Sequence, residues 1–209
     1  MTEVVIVSRT RMQSGVCVGG LTRTGHRSVR LLPHTGAHSH PENAPYRIGQ
    51  VWEMDLDFTA VITPPHTEDV LVMGDFLRGV ESSLEPWLRE HVQPWRGDAS
   101  GLFGGLLHRS GSGTAYISHE AVSESSVGFW LPGRGLHLDA SKGARYVAPW
   151  GDKEVSIPYV GLEEPLPLIP SETLVRVSLA RWLAPGGTGF EGCWLQVSGW
   201  YGREDLGAQ

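Results

Sequence analysis

An all-β fold with one or two short helices, arranged as two small barrels packed together, is the architecture this sequence predicts. Three observations point to it. The 209 residues include 27 glycines and 14 prolines, which suits many short elements joined by turns. Short β-rich runs recur along the chain, each closed by a turn signal. A stretch carrying Gly101, Gly104, Gly105, Gly111 and Gly113 separates two series of such runs. The expected organisation is a first barrel over 1–95 with a helix at 75–92, a Gly-rich linker or loop over 96–113, and a second barrel over 114–209.

In the first series, Val4–Ser8, Val16–Leu21 and His26–Leu32 are short strands. Thr22–Gly25 has turn composition, so the second and third runs read as a hairpin. Pro33–Gly49 is rich in Pro, His, Gly and Asn and reads as a loop. Val51–Phe58 alternates: Trp52, Met54, Leu56 and Phe58 share one side, with Glu53, Asp55 and Asp57 on the other. Val70–Met73 is a fifth run. Over 75–92, Phe76, Leu77, Val80, Leu84, Trp87, Leu88 and Val92 follow helical spacing, with Asp75 as N-cap. Pro86 kinks this helix or starts a second one at "LEPWLREHV". A helix after the fifth run is late for a small five-stranded barrel, and strand exchange between the barrels is one explanation.

The second series holds short runs at Tyr116–Ser118, Val127–Leu131, Leu136–Leu138, Arg145–Pro149 and Val155–Val160, then Leu174–Trp182 and Cys193–Tyr201. In the last strand, Cys193, Leu195 and Val197 point to the core, and Trp194, Gln196, Ser198 and Trp200 point the other way. In its partner, Arg176, Ser178 and Trp182 share the corresponding face. Tryptophan, amide and guanidinium on one sheet face suit base stacking and phosphate contact, or else a seam against the other barrel.

Composition excludes several classes. Hydrophobic residues at 40% and charged residues at 19% describe a globular chain. No apolar run approaches the ~20 residues of a membrane span, and the N-terminus reads as a strand, not a signal peptide. Cys17 and Cys193 sit in apolar alternations and read as free buried thiols of a cytoplasmic protein. The net charge of −6 argues against non-specific coating of nucleic acid. Charge is uneven, however: 1–50 holds six arginines against two acids, and 51–90 two against nine. Arg27 and Arg30 lie in the basic part.

His34, His38, His40 and Glu42 crowd one loop and could ligate a metal, yet they lack a distant ligand pair or a helical HExxH. Glu53, Asp55 and Asp57 form a solvated face or a Mg²⁺ cluster. Neither Ser110–Thr114 nor Gly186–Gly189 leads into a helix with Lys-Ser/Thr, so neither reads as a phosphate loop. No nucleophile elbow is present. No cofactor is expected.

The stretch "SRTRMQSGVCVGGLTRTGHRSVRLLP", with "GQVWEMDL", "ITPPHTEDVLV" and the closing "VRVSLARW…CWLQVSGWY", resembles the bacterial dual-OB-domain family. The resemblance implies two oligonucleotide-binding-type (OB) barrels and, by analogy with other such barrels, nucleic-acid handling. It carries over no catalytic residue. The chain departs from the pattern at Ser14-Gly15, where a glycine pair is expected, and in the His-rich loop. The leading expectation is a non-catalytic module binding single-stranded or structured DNA or RNA through Arg27, Arg30, Arg176, Trp182, Trp194, Gln196 and Trp200. The alternatives are a protein-interaction module using the same surfaces and a metal-dependent hydrolase using His34, His38 and His40.

Overall fold

A computed structural model describes residues 1–58, 62–184 and 191–202. The chain divides into two compact units, Met1–Val92 and Gln93–Gln209.

The first unit is a closed barrel. Its strands are β1 (Thr2–Met12), β2 (Gly15–Thr22), β3 (Ser28–Pro33), β4 (Gln50–Asp57) and β5 (Asp69–Val80), in the order β1-β2-β3-β5-β4. The apolar alternation of β1 to β4 fills the inside with Val4, Ile6, Val18, Leu31 and Met54, all at most 1% exposed. β1 closes the circuit by pairing antiparallel with β4, Val4 opposite Trp52. β3 and β5 pair in parallel from Arg30 opposite Asp69 to Pro33 opposite Val72. The β2–β3 turn follows its composition: Thr22 Oγ1 accepts from the Arg27 N–H at 2.9 Å and donates to the Thr24 carbonyl at 2.9 Å.

The expected helix over 75–92 is corrected. Residues 75–80 belong to β5, which continues along β4 to Val80, so Asp75 is no cap. Cross-strand pairing overrides a spacing that three residues, Phe76, Leu77 and Val80, imitate. The helix α1 runs from Leu84 to His91, behind Ser83 at the N-cap. Pro86 lies in its first turn, where an N–H has no intrahelical acceptor to lose, so it starts the helix and does not kink it. Leu88 is fully buried and anchors it.

The second unit is a half-barrel of two sheets. β6 (Trp95–Gly97), β7 (His108–Arg109), β8 (Ala115–Ile117), β9 (Val127–Pro132), β14 (Leu174–Leu179) and β15 (Cys193–Tyr201) form six strands in the order β6-β9-β14-β15-β8-β7. β10 (Leu136–Asp139), β11 (Arg145–Trp150), β12 (Lys153–Pro158) and β13 (Leu168–Ile169) form four, ordered β12-β11-β10-β13. One core lies between them, with Trp130, Tyr146, Ile157, Val175, Val177, Leu195 and Val197 among its members. The sheets join where Val160 N–H donates to the Val197 carbonyl at 3.0 Å.

Two further expectations change. The stretch 96–113 is not a linker: it supplies parts of β6 and β7 and a 3-10 segment, Ala99–Gly105, whose Ala99, Leu102 and Phe103 enter the core. Its glycines serve backbone turns, with Gly97, Gly104, Gly105 and Gly113 all at positive φ. Nor do the barrels exchange strands: every strand pair among the described residues lies within one unit. Gly186–Gly189 lies outside the described residues.

Candidate functional site

β8 alternates in a way its sequence demands. Ala115 and Ile117 are buried in the core, so Tyr116 between them faces the opposite way. β15 brings Trp194 directly opposite Tyr116, and β7 brings His108 opposite Tyr116 on the other side. The rings follow: Tyr116 and Trp194 have centroids 5.0 Å apart at 48°, and His108 and Tyr116 5.5 Å apart at 29°. The result is a ladder of three aromatic rings across three adjacent strands. His108 is exposed; Tyr116 and Trp194 are half-buried. Trp194 is held by donating its indole N–H to the Leu183 carbonyl at 3.2 Å.

Gln196, two residues on, stands on the same face of β15. Its Oε1 accepts from Ser178 Oγ at 3.5 Å, and the Ser178 and Ser198 hydroxyls lie 2.7 Å apart. The amide N–H₂ is left to serve as a donor beside the ladder.

Of the seven expected contact residues, the structure gathers two here, Trp194 and Gln196. Trp200 is lost to the core. Val177 pairs with Val197 but Arg176 pairs with Gly199, so Ser198 is the extra residue of a bulge. The bulge inverts the alternation, and Trp200 packs on Tyr159 at 5.2 Å and Tyr146 at 6.3 Å. Tyr201 then turns to the other side, 5.9 Å from Phe129. Arg176 is also withdrawn: it is 2% exposed, with its guanidinium 5.2 Å from the Phe129 ring centre. Burial pushes the Tyr201 hydroxyl up to about 12, against the opposing pull of Arg176. Trp182 stacks on His119 at 3.6 Å and 9° and packs at the edge of the core.

The other two arginines belong to the first unit. Arg27 is exposed, its guanidinium 4.8 Å from the Phe58 ring centre. Arg30 is 8% exposed and spoken for: it donates to His66 Nδ1 at 2.8 Å and Glu68 Oε1 at 2.9 Å, and its Nε pairs with Asp69 at 2.9 Å. It is a structural cation and not a phosphate contact.

The histidine loop is corrected too. His34 and His38 are exposed, but His40 is 7% exposed and exchanges both backbone hydrogen bonds with Val16 at 2.9 Å. Burial lowers its pKa, so the neutral ring donates from Nε2 to the Leu31 carbonyl at 2.9 Å. That ring fixes the loop to the barrel. Gly15 permits the approach: its φ is +120°, and a Cβ there would fall 2.1 Å from the His40 oxygen. Among the described residues no three His, Cys, Asp or Glu side chains converge as metal ligands. Glu53 is taken up by Arg78, whose Nε donates to it at 2.6 Å.

Sequence reasoning missed Tyr116 and His108. His108 and Tyr116 pair across a short hairpin, but the ladder is completed only by Trp194, some eighty positions from Tyr116. No local pattern encodes that pairing.

A closed five-strand barrel followed by a two-sheet half-barrel defines a protein of two OB-like units. The chain belongs to the Dual OB-containing domain family, which matches residues 2–200. No curated protein matches it. A solved structure of a murine DNA-binding protein with double-stranded DNA is similar at 8% identity and a TM-score of 0.32, covering 93% of this chain and 91% of that chain. A likeness that loose bears on neither the ligand nor the mechanism of this chain. Among the described residues no helix is long and apolar enough to cross a membrane.

Proposed function

We propose that this protein binds single-stranded or unpaired nucleic acid, without acting on it chemically, by stacking bases on the ladder His108–Tyr116–Trp194. The observation that supports this reading is the register that sets three rings side by side on one face of β7, β8 and β15. A row of rings spaced about 5 Å apart offers successive bases a sequence-tolerant surface, because every base has a π-face. Gln196 adds a donor for a base edge. With a net charge of −6, binding must rest on stacking more than on phosphate neutralisation, so its salt dependence should be shallow.

Fluorescence anisotropy with labelled single-stranded DNA and RNA tests it. The expected result is binding that weakens by on the order of 1–3 kcal/mol in Trp194→Ala or Tyr116→Ala, with circular dichroism unchanged. Trp200→Ala should destabilise the fold instead, since Trp200 packs on the core. Absence of binding to every oligonucleotide at low salt, or full binding by a Tyr116→Ala, Trp194→Ala double variant, would overturn the reading.

A further inference from the structure

β5 runs beside β3 only from Asp69 to Val72, yet continues beside β4 to Val80. Beyond Val72 its second edge has no strand against it among the described residues. Such an edge presents N–H and C=O groups ready to pair with another chain. We propose that it takes up a short, extended, basic peptide as an added strand.

Three features select that occupant. The first is the length of regular edge. Met73 and Arg78 are each the extra residue at a register shift, leaving Gly74–Leu77 as the evenly paired run, opposite Asp55 to Trp52. A short segment can pair there, while the bulges block growth of a long sheet. The second is apolar surface. Met73 is 56% exposed, Phe76 42%, Leu77 48% and Val80 67%, so the strand offers side-chain contacts along its length. The third is charge. From Gln50 to Val80 there are six carboxylates and one base, Arg78. Arg78 is held by Glu53, and Glu68 and Asp69 are held by Arg30. The acidic excess therefore includes Asp55, exposed and in register with Gly74, and Asp75.

Asp75 also marks a pocket. A cavity of about 250 Å³ opens where the free edge begins, lined by Pro33, His34, Tyr46, Met73 and Asp75 among others. The Tyr46 hydroxyl donates to Asp75 Oδ2 and fixes the carboxylate at the pocket wall. A lysine or arginine side chain of an added strand fits there, its stem on Pro33 and Met73 and its charge on Asp75. A nucleic-acid strand fits poorly, because its phosphates would face carboxylates and it has no amide ladder to offer.

The test uses the full chain and a labelled peptide alternating lysine and valine. Anisotropy should report binding, and amide chemical-shift changes should centre on Gly74–Leu77. N-methylation of alternate peptide amides should weaken binding about tenfold or more, the loss of two or so backbone hydrogen bonds. Asp75→Asn should weaken it by about tenfold, as for a charge-assisted contact, with oligonucleotide affinity unchanged. Asp55→Asn, at an exposed site, gives a second charge variant if Asp75→Asn disturbs the fold. Equal binding of the N-methylated peptide, equal binding of a glutamate-for-lysine peptide, shift changes confined to the second unit, or displacement of the peptide by single-stranded DNA would each overturn the proposal.

Discussion

Arg30 sits almost out of water with two carboxylates and a histidine around it, and its sequence neighbourhood gives no hint of this. Burial works against its charge, and the neighbouring Cys17, Asp69 and Glu68 outweigh that effect, so its pKa stays above the ordinary arginine value. Having no acceptor, the guanidinium must donate to His66 Nδ1, which leaves His66, 1% exposed, as its neutral Nε2–H tautomer. Arg30→Met would strand Glu68 and Asp69, 3% and 4% exposed, without their counter-charge. The expected cost is about 3–5 kcal/mol, read as a lower urea midpoint. Adding Glu68→Gln and Asp69→Asn should recover part of it; no recovery would mean that Arg30 acts through packing alone. Alternation within β3 marks Arg30 only as a strand residue. What buries it is the parallel pairing with β5, a long-range event. Trp194 and Trp200 teach the same lesson from the other side. Period-two reading assigns Trp194 to the open face, but one bulge residue, Ser198, sends Trp200 into the core.

At the scale of elements, strands with clean alternation are readable: β2, β3, β4 and β15 lie close to the runs their sequences announce, and β1 contains its run, Val4–Ser8, but extends to Met12. β5 is readable only over Val70–Met73: further on, Phe76, Leu77 and Val80 are on the surface and two bulges break the alternation that would identify the strand. The 3-10 segment Ala99–Gly105 is hidden by its glycines, which signal flexibility while serving fixed left-handed turns. Its place in the unit depends on Trp95, whose ring lies 4.8 Å from Phe103 and presses on β9 at Gly128. A Cβ at Gly128 would stand 2.1 Å and 2.3 Å from two atoms of the Trp95 six-membered ring. Gly128→Ala should therefore displace Trp95 and loosen the 3-10 segment, at about 1–3 kcal/mol as for other overpacked sites. Thermal unfolding checks this, and Trp95→Leu in the Gly128→Ala background separates the causes. If steric conflict is the mechanism, the pair loses less than the sum of the two single changes.

For the whole molecule, the expectation of two OB-like units is legible because composition and end motifs both survive the local misreadings. Five β-rich runs, a break and a second series describe the chain even though the break itself is ordered structure. The strand pairings go further. The first unit's barrel closes on itself through β1 and β4, and its core needs no strand from beyond Val92. Closure pairs the strands within the unit, and among the described residues the free stretch of β5 beyond Val72 pairs with no strand of the second unit. A fragment of residues 1–92 should thus fold alone and unfold cooperatively in urea, with the β-sheet circular dichroism of a barrel. It should carry the basic-peptide binding of β5 and none of the oligonucleotide binding, because the ladder His108–Tyr116–Trp194 lies wholly in the second unit. A non-cooperative transition would show that the barrel depends on the second unit. Oligonucleotide binding by a folded 1–92 fragment would instead move the stacking surface away from β15, to exposed groups such as Arg27 and Phe58.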